Sequence, residues 1–261
     1  MDKTRIAELG DELFNALRHR EPVAPLTECE PSITIEDAYY ISHRMVERRV
    51  EDGEQIIGKK IGVTSKAVQN MLGVHQPDFG YLTDRMVYSD GDEMPISEQL
   101  IAPRAEGEIA FVLKRDLMGP GVTNTEVLAA TEFVVPCFEI VDSRIKDWKI
   151  KIQDTVADNA SCGLLVLGGQ AVDPRKVDLV TAGMVVEKNG EIISTGAGAA
   201  ALGSPVNCIA WLANTLGQFG IPLKAGEVIL SGSLVPLEPV AAGDYMRVDI
   251  GGLGSASVRF T

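Results

Sequence analysis

The sequence predicts an α+β protein with a mixed, strongly β core and an N-terminal helical layer. Two amphipathic helical patterns occupy the first 54 residues. From residue 55 onward, apolar runs typical of strands outnumber helical ones. These strands and helices do not alternate as βαβ units, which argues against a doubly wound parallel sheet.

The length and net charge of the chain limit its possible domain organisation and partners. A chain of 261 residues can bury a full core, and no linker or repeat divides it, so we expect one domain over residues 1–261. The net charge of −13 argues against nucleic acid or an anionic membrane as partner. No apolar run reaches ~18 residues, which predicts a soluble, cytoplasmic protein. The four scattered cysteines are expected to be buried free thiols.

The helical layer is predicted over residues 1–54. Apolar residues recur at helical spacing over about residues 3–19. Prolines then enforce an extended connection. Thr34 is a suitable N-cap for a second helix, with Asp37 at its third position.

The β-rich core, residues 55–261, begins with a strand over residues 55–63 that contains Lys59 and Lys60. Alternation places these lysines on opposite faces, so one of them points inward. A buried lysine loses preference for its charged form and can act as a general acid or base, whereas an edge-strand lysine would remain solvated. Ser65 can cap a short helix. The following loop, residues 73–80, is polar enough to be functional, although Asp78 in it could be only a turn former.

Glu106 and Glu108 begin the central apolar strand. Residues two apart on a strand point to the same face, so both carboxylates project together. Such a pair resists burial unless a cation or proton intervenes, and Mg²⁺ or Mn²⁺ prefers oxygen ligands. The alternative is a strand end in water with two solvated glutamates.

Another apolar strand, residues 133–142, contains Glu139. A carboxylate among apolar neighbours needs a cation or hydrogen bonds, so Glu139 is a third possible metal ligand. The alternative is a salt bridge from Glu139 to Arg144 or Lys146. No cation is otherwise evident for the three glutamates. Pro136 suggests a strand start, an edge or a bulge.

The later core contains further strands and one long helix. A hairpin turns at Asn189-Gly190, and Ser204 caps a helix that begins with Pro205. The segment 196–201 imitates a dinucleotide-binding glycine motif. Its glycines precede the helix, and no acid stands about 20 residues on, so we expect neither nicotinamide nor flavin. The glycines instead suit close backbone approach or a sharp turn.

Five segments together resemble the fumarylacetoacetate hydrolase superfamily, almost end to end. They are Gly58-Lys59-Lys60-Ile61-Gly62, Gln76-Pro77-Asp78-Phe79-Gly80, Glu106-x-Glu108, Glu139, and Ala157-Asp158-Asn159-Ala160-Ser161. The resemblance implies a single catalytic domain with a mixed β-roll around a divalent metal, Mg²⁺ or Mn²⁺, and outer helices. It also implies a homo-oligomer.

Carried onto matching positions, the resemblance makes Glu106, Glu108 and Glu139 the metal ligands. It makes Lys60 and Asp78 the catalytic acid/base residues, and Ser161 a substrate contact. Which of Lys60 and Asp78 serves which proton transfer stays open.

Within the superfamily, the chain resembles hydratases of aromatic meta-cleavage pathways. These add water to 2-hydroxypenta-2,4-dienoate, a small anionic substrate, and give 4-hydroxy-2-oxopentanoate. The alternatives are a 4-oxalocrotonate decarboxylase, a C–C hydrolase, and a non-catalytic partner in a complex with the decarboxylase. Asp78 favours the hydratase, because adding water at C4 needs a base there.

Overall fold

The computed structural model describes the backbone of residues 1–261 and all side chains except those of Ala67 and Met71. The helices are α1 Lys3–His19, α2 Leu26–Cys29, α3 Ile35–Glu51, α4 Lys66–Leu72, α5 Ile96–Gln99, α6 Asn124–Ala130, α7 Ile152–Ala157 and α8 Pro205–Gly217. The strands are β1 Ile56–Gly62, β2 Asp78–Thr83, β3 Val87–Ser89, β4 Glu93–Met94, β5 Arg104–Leu113, β6 Thr131–Val141, β7 Leu164–Leu167, β8 Gly183–Lys188, β9 Glu191–Ala197, β10 Val228–Leu230, β11 Glu238–Pro239, β12 Tyr245–Ile250 and β13 Gly254–Phe260.

The larger sheet brings distant parts of the chain together in the order β2-β1-β10-β5-β6-β7-β3, with β11 also paired to β5. Most of its pairs are antiparallel, but β1 runs parallel to β10 and β3 runs parallel to β7. The long antiparallel pair β5–β6 lies at its centre. This pair carries all three glutamates singled out in the sequence.

The second sheet has the order β4-β13-β12-β8-β9 and packs against β6 and β7 of the first. One apolar cluster, which includes Phe111, Phe138 and Phe260, fills the space between the sheets and extends to α8. The predicted α+β class with a mixed β-roll is confirmed by this arrangement.

The N-terminal helices form a layer of their own. Asp2 caps α1, and the predicted capping box of Thr34 and Asp37 begins α3. Leu9 and Leu13 of α1 are buried with residues of α3 and α7 in a second apolar cluster. The layer therefore rests on α7, the helix that directly precedes Ser161.

Pro136 lies in the middle of a central strand, so the expected strand start, edge or bulge was wrong. Its ladder partner on β5 is Ile109. The carbonyl of Pro136 accepts a hydrogen bond from the Gly168 N–H, 2.8 Å away, on the side away from β5. Because the nitrogen and carbonyl of a strand residue point to the same side, the missing N–H costs no hydrogen bond to β5.

The glycines of segment 196–201 serve close packing, as expected. A Cβ at Gly196 would lie 2.1 Å from the carbonyl oxygen of Leu234. At Gly198, a Cβ would lie 1.7 Å from the carbonyl oxygen of Leu179. No side chain larger than hydrogen fits at either position.

The four cysteines are free thiols, as predicted, but the expected burial was wrong for Cys29. That residue ends α2, a single-turn helix on the exposed side of the N-terminal layer, and it is accessible to solvent. None of the helices that the structure describes combines the length and apolar composition needed to cross a bilayer.

Candidate active site

Three carboxylates meet on one face of the central pair of strands. Glu106 and Glu139 are direct ladder partners between β5 and β6, and Glu108 follows two residues on. One carboxylate oxygen from each lies within 4.8 Å of the others. Glu108 and Glu139 are almost wholly buried and Glu106 is half-buried. The alternative of a solvated strand end is therefore wrong.

The shared burial of these groups opposes their ionisation. Burial, reinforced by the nearby Glu139, raises the pKa of Glu106 to about 7. Burial and the two neighbouring carboxylates raise the pKa of Glu108 well above its usual value. Burial also raises the pKa of Glu139, although Lys60 opposes the shift. The cluster is thus an arrangement that a multivalent cation would stabilise.

The donor atoms fit a hard divalent cation. Among the described residues, one oxygen of Glu108 has no hydrogen-bond partner. The oxygens of Glu139 have none either, although Lys60 forms an ion pair with Oε1. The other oxygen of Glu108 accepts a hydrogen bond from the Gly232 N–H, 2.8 Å away, which fixes its orientation. Buried oxygens without partners are costly unless they coordinate an ion or bind water. An all-oxygen set of this kind suits Mg²⁺ or Mn²⁺.

Both lysines of β1 are buried, so the expectation that one of them would stay in solvent was wrong. Lys60 faces the carboxylates, and its Nζ lies 3.1 Å from Oε1 of Glu139. This ion pair corrects the expectation that the glutamates lack a cation. The alternative salt bridge from Glu139 to Arg144 or Lys146 is also wrong, because Arg144 pairs with Asp158 instead.

The expected shift of Lys60 toward its neutral form was wrong as well. Burial alone would lower the pKa of Lys60, but Glu139 and the other nearby carboxylates outweigh it and raise this pKa above its ordinary value. This shift favours the ammonium form of Lys60, which carries protons and can attract an anion.

Asp78 begins β2, directly opposite Gly62 in the antiparallel pair β1–β2. Its side chain is buried, and its Oδ1 has no hydrogen-bond partner among the described residues. Burial raises the pKa of Asp78, although Lys60 opposes the shift. A Cβ at Gly62 would lie 2.4 Å from Oδ1 of Asp78 and 3.3 Å from Nζ of Lys60. Glycine at position 62 thus lets Asp78 lie against β1, near the ammonium group of Lys60.

We expect Gly62→Ala to reduce kcat on the order of 10²-fold, because the new methyl group must displace Asp78 or Lys60. Gly169→Ala is the matched control, since a Cβ there has no described neighbour within 4 Å. Turnover and thermal unfolding of both variants check this prediction. Unchanged turnover in Gly62→Ala would show that the close approach of Asp78 and Lys60 to Gly62 has no role.

Ser161 lies in a buried, left-handed turn that runs from Asn159 to Ser161. The φ angles of Asn159, Ala160 and Ser161 are 51°, 51° and 56°. The hydroxyl of Ser161 is 3.0 Å from Oγ1 of Thr155. Three successive non-glycine residues in this region cost roughly 1–2 kcal/mol each, so the turn needs support from its surroundings.

The Asn159 side chain supplies part of that support. Its amide exchanges hydrogen bonds of 2.8 and 2.9 Å with the backbone of Tyr81 on β2. A Cβ at Gly80 would lie 2.4 Å from the carbonyl oxygen of Asn159. The turn is therefore held against the same strand that positions Asp78.

A buried ion pair also supports the left-handed turn at residues 159–161. Arg144 and Asp158 are wholly buried and joined through the guanidinium Nε. Arg144 also donates to the carbonyl oxygens of Asp158 and Cys162, at 2.7 and 2.8 Å. Although burial opposes its charge, Asp158 and Asp142 raise the pKa of Arg144. The guanidinium is thus hydrogen-bonded to the residues on both sides of the turn.

Sequence reasoning missed the positioning roles of Gly232 and Arg144. Gly232 lies in an ordinary Ser-Gly-Ser run, and only its register against Glu108 shows its purpose. For Arg144, a signal was present: an arginine close in sequence to a strand of apolar residues needs a buried acid, and Asp158 was available in the polar run before Ser161.

Comparisons with known proteins agree with this geometry. Residues 58–261 match the family model described as fumarylacetoacetate (FAA) hydrolase C-terminal. A 2-hydroxypent-2,4-dienoate hydratase of Pseudomonas putida is 77% identical over 221 residues, 85% of this chain and 100% of the relative. A 2-hydroxyhexa-2,4-dienoate hydratase of Comamonas testosteroni is 61% identical over 261 residues, 100% of this chain and 99% of the relative.

The fold is also that of a solved enzyme. The structure of 4-oxalocrotonate decarboxylase from Pseudomonas putida G7, complexed with magnesium and adipate, superimposes with a TM-score of 0.97 at 38% identity. The match covers 100% of this chain and 99% of that one. The chain therefore belongs to the fumarylacetoacetate hydrolase family.

Proposed function

We propose that this member of the fumarylacetoacetate hydrolase family is a metal-dependent hydratase. It would add water to 2-hydroxypenta-2,4-dienoate and give 4-hydroxy-2-oxopentanoate. The observation that carries the proposal is one buried site in which three carboxylates face an ammonium group and a further acid. The hydratase names of the two relatives favour hydration over decarboxylation, which the shared fold does not distinguish.

Glu106, Glu108 and Glu139 would hold the cation, with Mg²⁺ or Mn²⁺ as the proposed metal. When bound, it would supply Lewis-acid stabilisation of the negative charge that develops on the substrate's 2-oxygen. Gly232 would keep Glu108 in its coordinating orientation through the N–H bond.

Lys60 and Asp78 would move the protons. Protonation of the dienol at C5, with loss of the 2-hydroxyl proton, gives a conjugated enone. Water then adds at C4, and C3 takes up a proton. We assign the water proton to Asp78 and proton donation to the Lys60 ammonium, because both groups lie close to Gly62. Ser161 would bind the substrate through its hydroxyl.

We extend the proposal to the protein's setting in aromatic meta-cleavage catabolism. The chain would act in the cytoplasm as a single catalytic domain, with residues 1–54 as its helical layer and residues 55–261 as its metal-binding core. It would form a homo-oligomer and associate with 4-oxalocrotonate decarboxylase. Light scattering of the isolated protein, and of its mixture with that decarboxylase, tests both assemblies.

The reaction is tested by following loss of the dienol absorbance and release of CO₂ in parallel. Wild type should hydrate 2-hydroxypenta-2,4-dienoate and release no CO₂ from oxalocrotonate at a comparable rate. Asp78→Asn should lose hydration by on the order of 10²- to 10⁴-fold, the usual contribution of general acid–base catalysis. Asp84→Asn, a change of an exposed acid just after β2, is the matched control.

Rapid CO₂ release without hydrated product would identify a decarboxylase and contradict the role given to Asp78. No turnover and no bound metal in the isolated protein would instead support a non-catalytic partner.

A further inference from the structure

A cavity of about 360 Å³ opens beside Asp78, on the side facing the N-terminal layer. The buried Asp78 lies at its floor, and His75 and Gln76 are exposed at its mouth. None of the three glutamates lines it. Its volume falls in the range of small-molecule sites, about 300–1,000 Å³, and is large for the end of a five-carbon acid.

The walls of this cavity are apolar. Ile35 and Tyr39 of α3 form one side, and Ile152 and Val156 of α7 form another. Val74 contributes from the loop before β2. The Tyr39 ring stacks on Phe79, with centroids 4.5 Å apart and planes at 15°. This wall is therefore rigid as well as apolar.

The charge of the cavity also restricts its occupant. Asp78 is its acidic residue, and no lysine or arginine lines it within the described part of the chain. A second carboxylate inside the cavity would lose its hydration beside a buried acid. The described lining offers it no ammonium or guanidinium group, and His75 and Gln76 are exposed. An alkyl group would instead exchange water for apolar contacts.

We propose that this cavity selects 2-hydroxy-2,4-dienoates with an extended alkyl group on C5 and rejects dicarboxylates. The inference rests on the proposed function for the substrate's orientation. With the carboxylate end at the glutamates and C4 beside Asp78, the carbons beyond C5 point into the cavity. Val74 and Ile35 are then specificity-determining residues, because both are only half-buried and face the occupant.

The first experiment compares kcat/KM for 2-hydroxypenta-2,4-dienoate with that for 2-hydroxyocta-2,4-dienoate, which carries a propyl group on C5. Wild type should show a higher kcat/KM for the longer substrate, because each buried methylene favours it by on the order of 4-fold. Val74→Phe fills the cavity and should lower the octadienoate-to-pentadienoate ratio about 10-fold. Val50→Phe, the same change at an exposed position of α3, should leave the ratio unchanged.

The second experiment measures binding without turnover. In the Mg²⁺-loaded protein, calorimetry should show that 2-oxooctanoate binds about 10-fold or more tighter than the dicarboxylate 2-oxoadipate. Ile35→Arg places a cation in the cavity and should narrow or reverse this difference. Tyr40→Arg, an exposed position of the same helix, is the control.

The outcomes separate this inference from the proposed function. Hydration of the five-carbon dienoate with no gain from the alkyl group, or equal binding of the two oxo acids, would overturn the cavity assignment. Absence of any hydration, together with preferred binding of 2-oxooctanoate, would overturn the proposed reaction and leave the cavity assignment standing.

Discussion

Exhaustive chelation is expected to abolish turnover, and added Mg²⁺ or Mn²⁺ to restore it. Glu106, Glu108 and Glu139 are packed within 4.8 Å, and together with Asp78 they outnumber the one ammonium group, Lys60. A Lewis acid contributes several kcal/mol to such a reaction, which corresponds to on the order of 10³-fold in rate. Glu106→Gln should reproduce the chelated state, because it removes a charged ligand and keeps the side chain's shape.

Glu132→Gln is the matched control, since Glu132 lies on the same strand as Glu139 but is exposed. Calorimetric titration with Mn²⁺ should show binding to wild type and to this control, and weakened binding to Glu106→Gln. The cation should also raise the thermal unfolding midpoint, because it binds the folded cluster. Full activity in metal-free protein would contradict the metal-centre assignment.

Lys60→Met is expected to reduce turnover by on the order of 10²- to 10⁴-fold while the protein stays folded in the presence of metal. The substitution removes the ammonium that lies 3.1 Å from Glu139 and keeps the length of the aliphatic stem. Steady-state kinetics with the five-carbon dienoate, beside far-UV circular dichroism, checks the result.

The neighbouring lysine provides an unusually close control. Lys59 is also buried, and its Nζ lies 2.7 Å from both carboxylate oxygens of Glu227 on the opposite face of the sheet. Lys59→Met should therefore reduce stability, since it leaves a buried carboxylate unpaired, but should preserve turnover of the folded protein. Equal loss of turnover in both variants would mean that Lys60 acts only through stability.

The residues of the central strands were predictable because alternation is a local property. Once the strands were recognised, the side chains of Glu106 and Glu108 had to lie on the same face of theirs. The side chains of Lys59 and Lys60 had to point to opposite faces. Capping chemistry located the beginning of α3 for the same reason, since Thr34 and Asp37 are three residues apart.

What sequence could not supply was register between distant strands. The β5–β6 ladder sets Glu139 opposite Glu106, and the β1–β10 and β10–β5 ladders bring Lys60 to Glu139. These contacts join residues far apart in the chain. The pKa of Lys60 therefore could not be inferred from burial alone, because its sign depends on those partners. The prediction for Pro136 was wrong for a related reason. Whether its missing N–H breaks the ladder depends on which neighbouring strand the nitrogen faces.

The parallel pairing of β1 with β10 has a consequence for synthesis of the chain. Gly58 on β1 pairs with Val228 on β10. One edge of β1 therefore has no partner strand until nearly the whole polypeptide has been synthesised. At a translation rate of about 5–20 residues per second, the interval between synthesis of β1 and synthesis of β10 is on the order of 10 s. Charged side chains on an open edge discourage pairing with other nascent chains. We therefore expect Lys59 and Lys60, which the finished fold buries, to reduce aggregation of the unfinished chain.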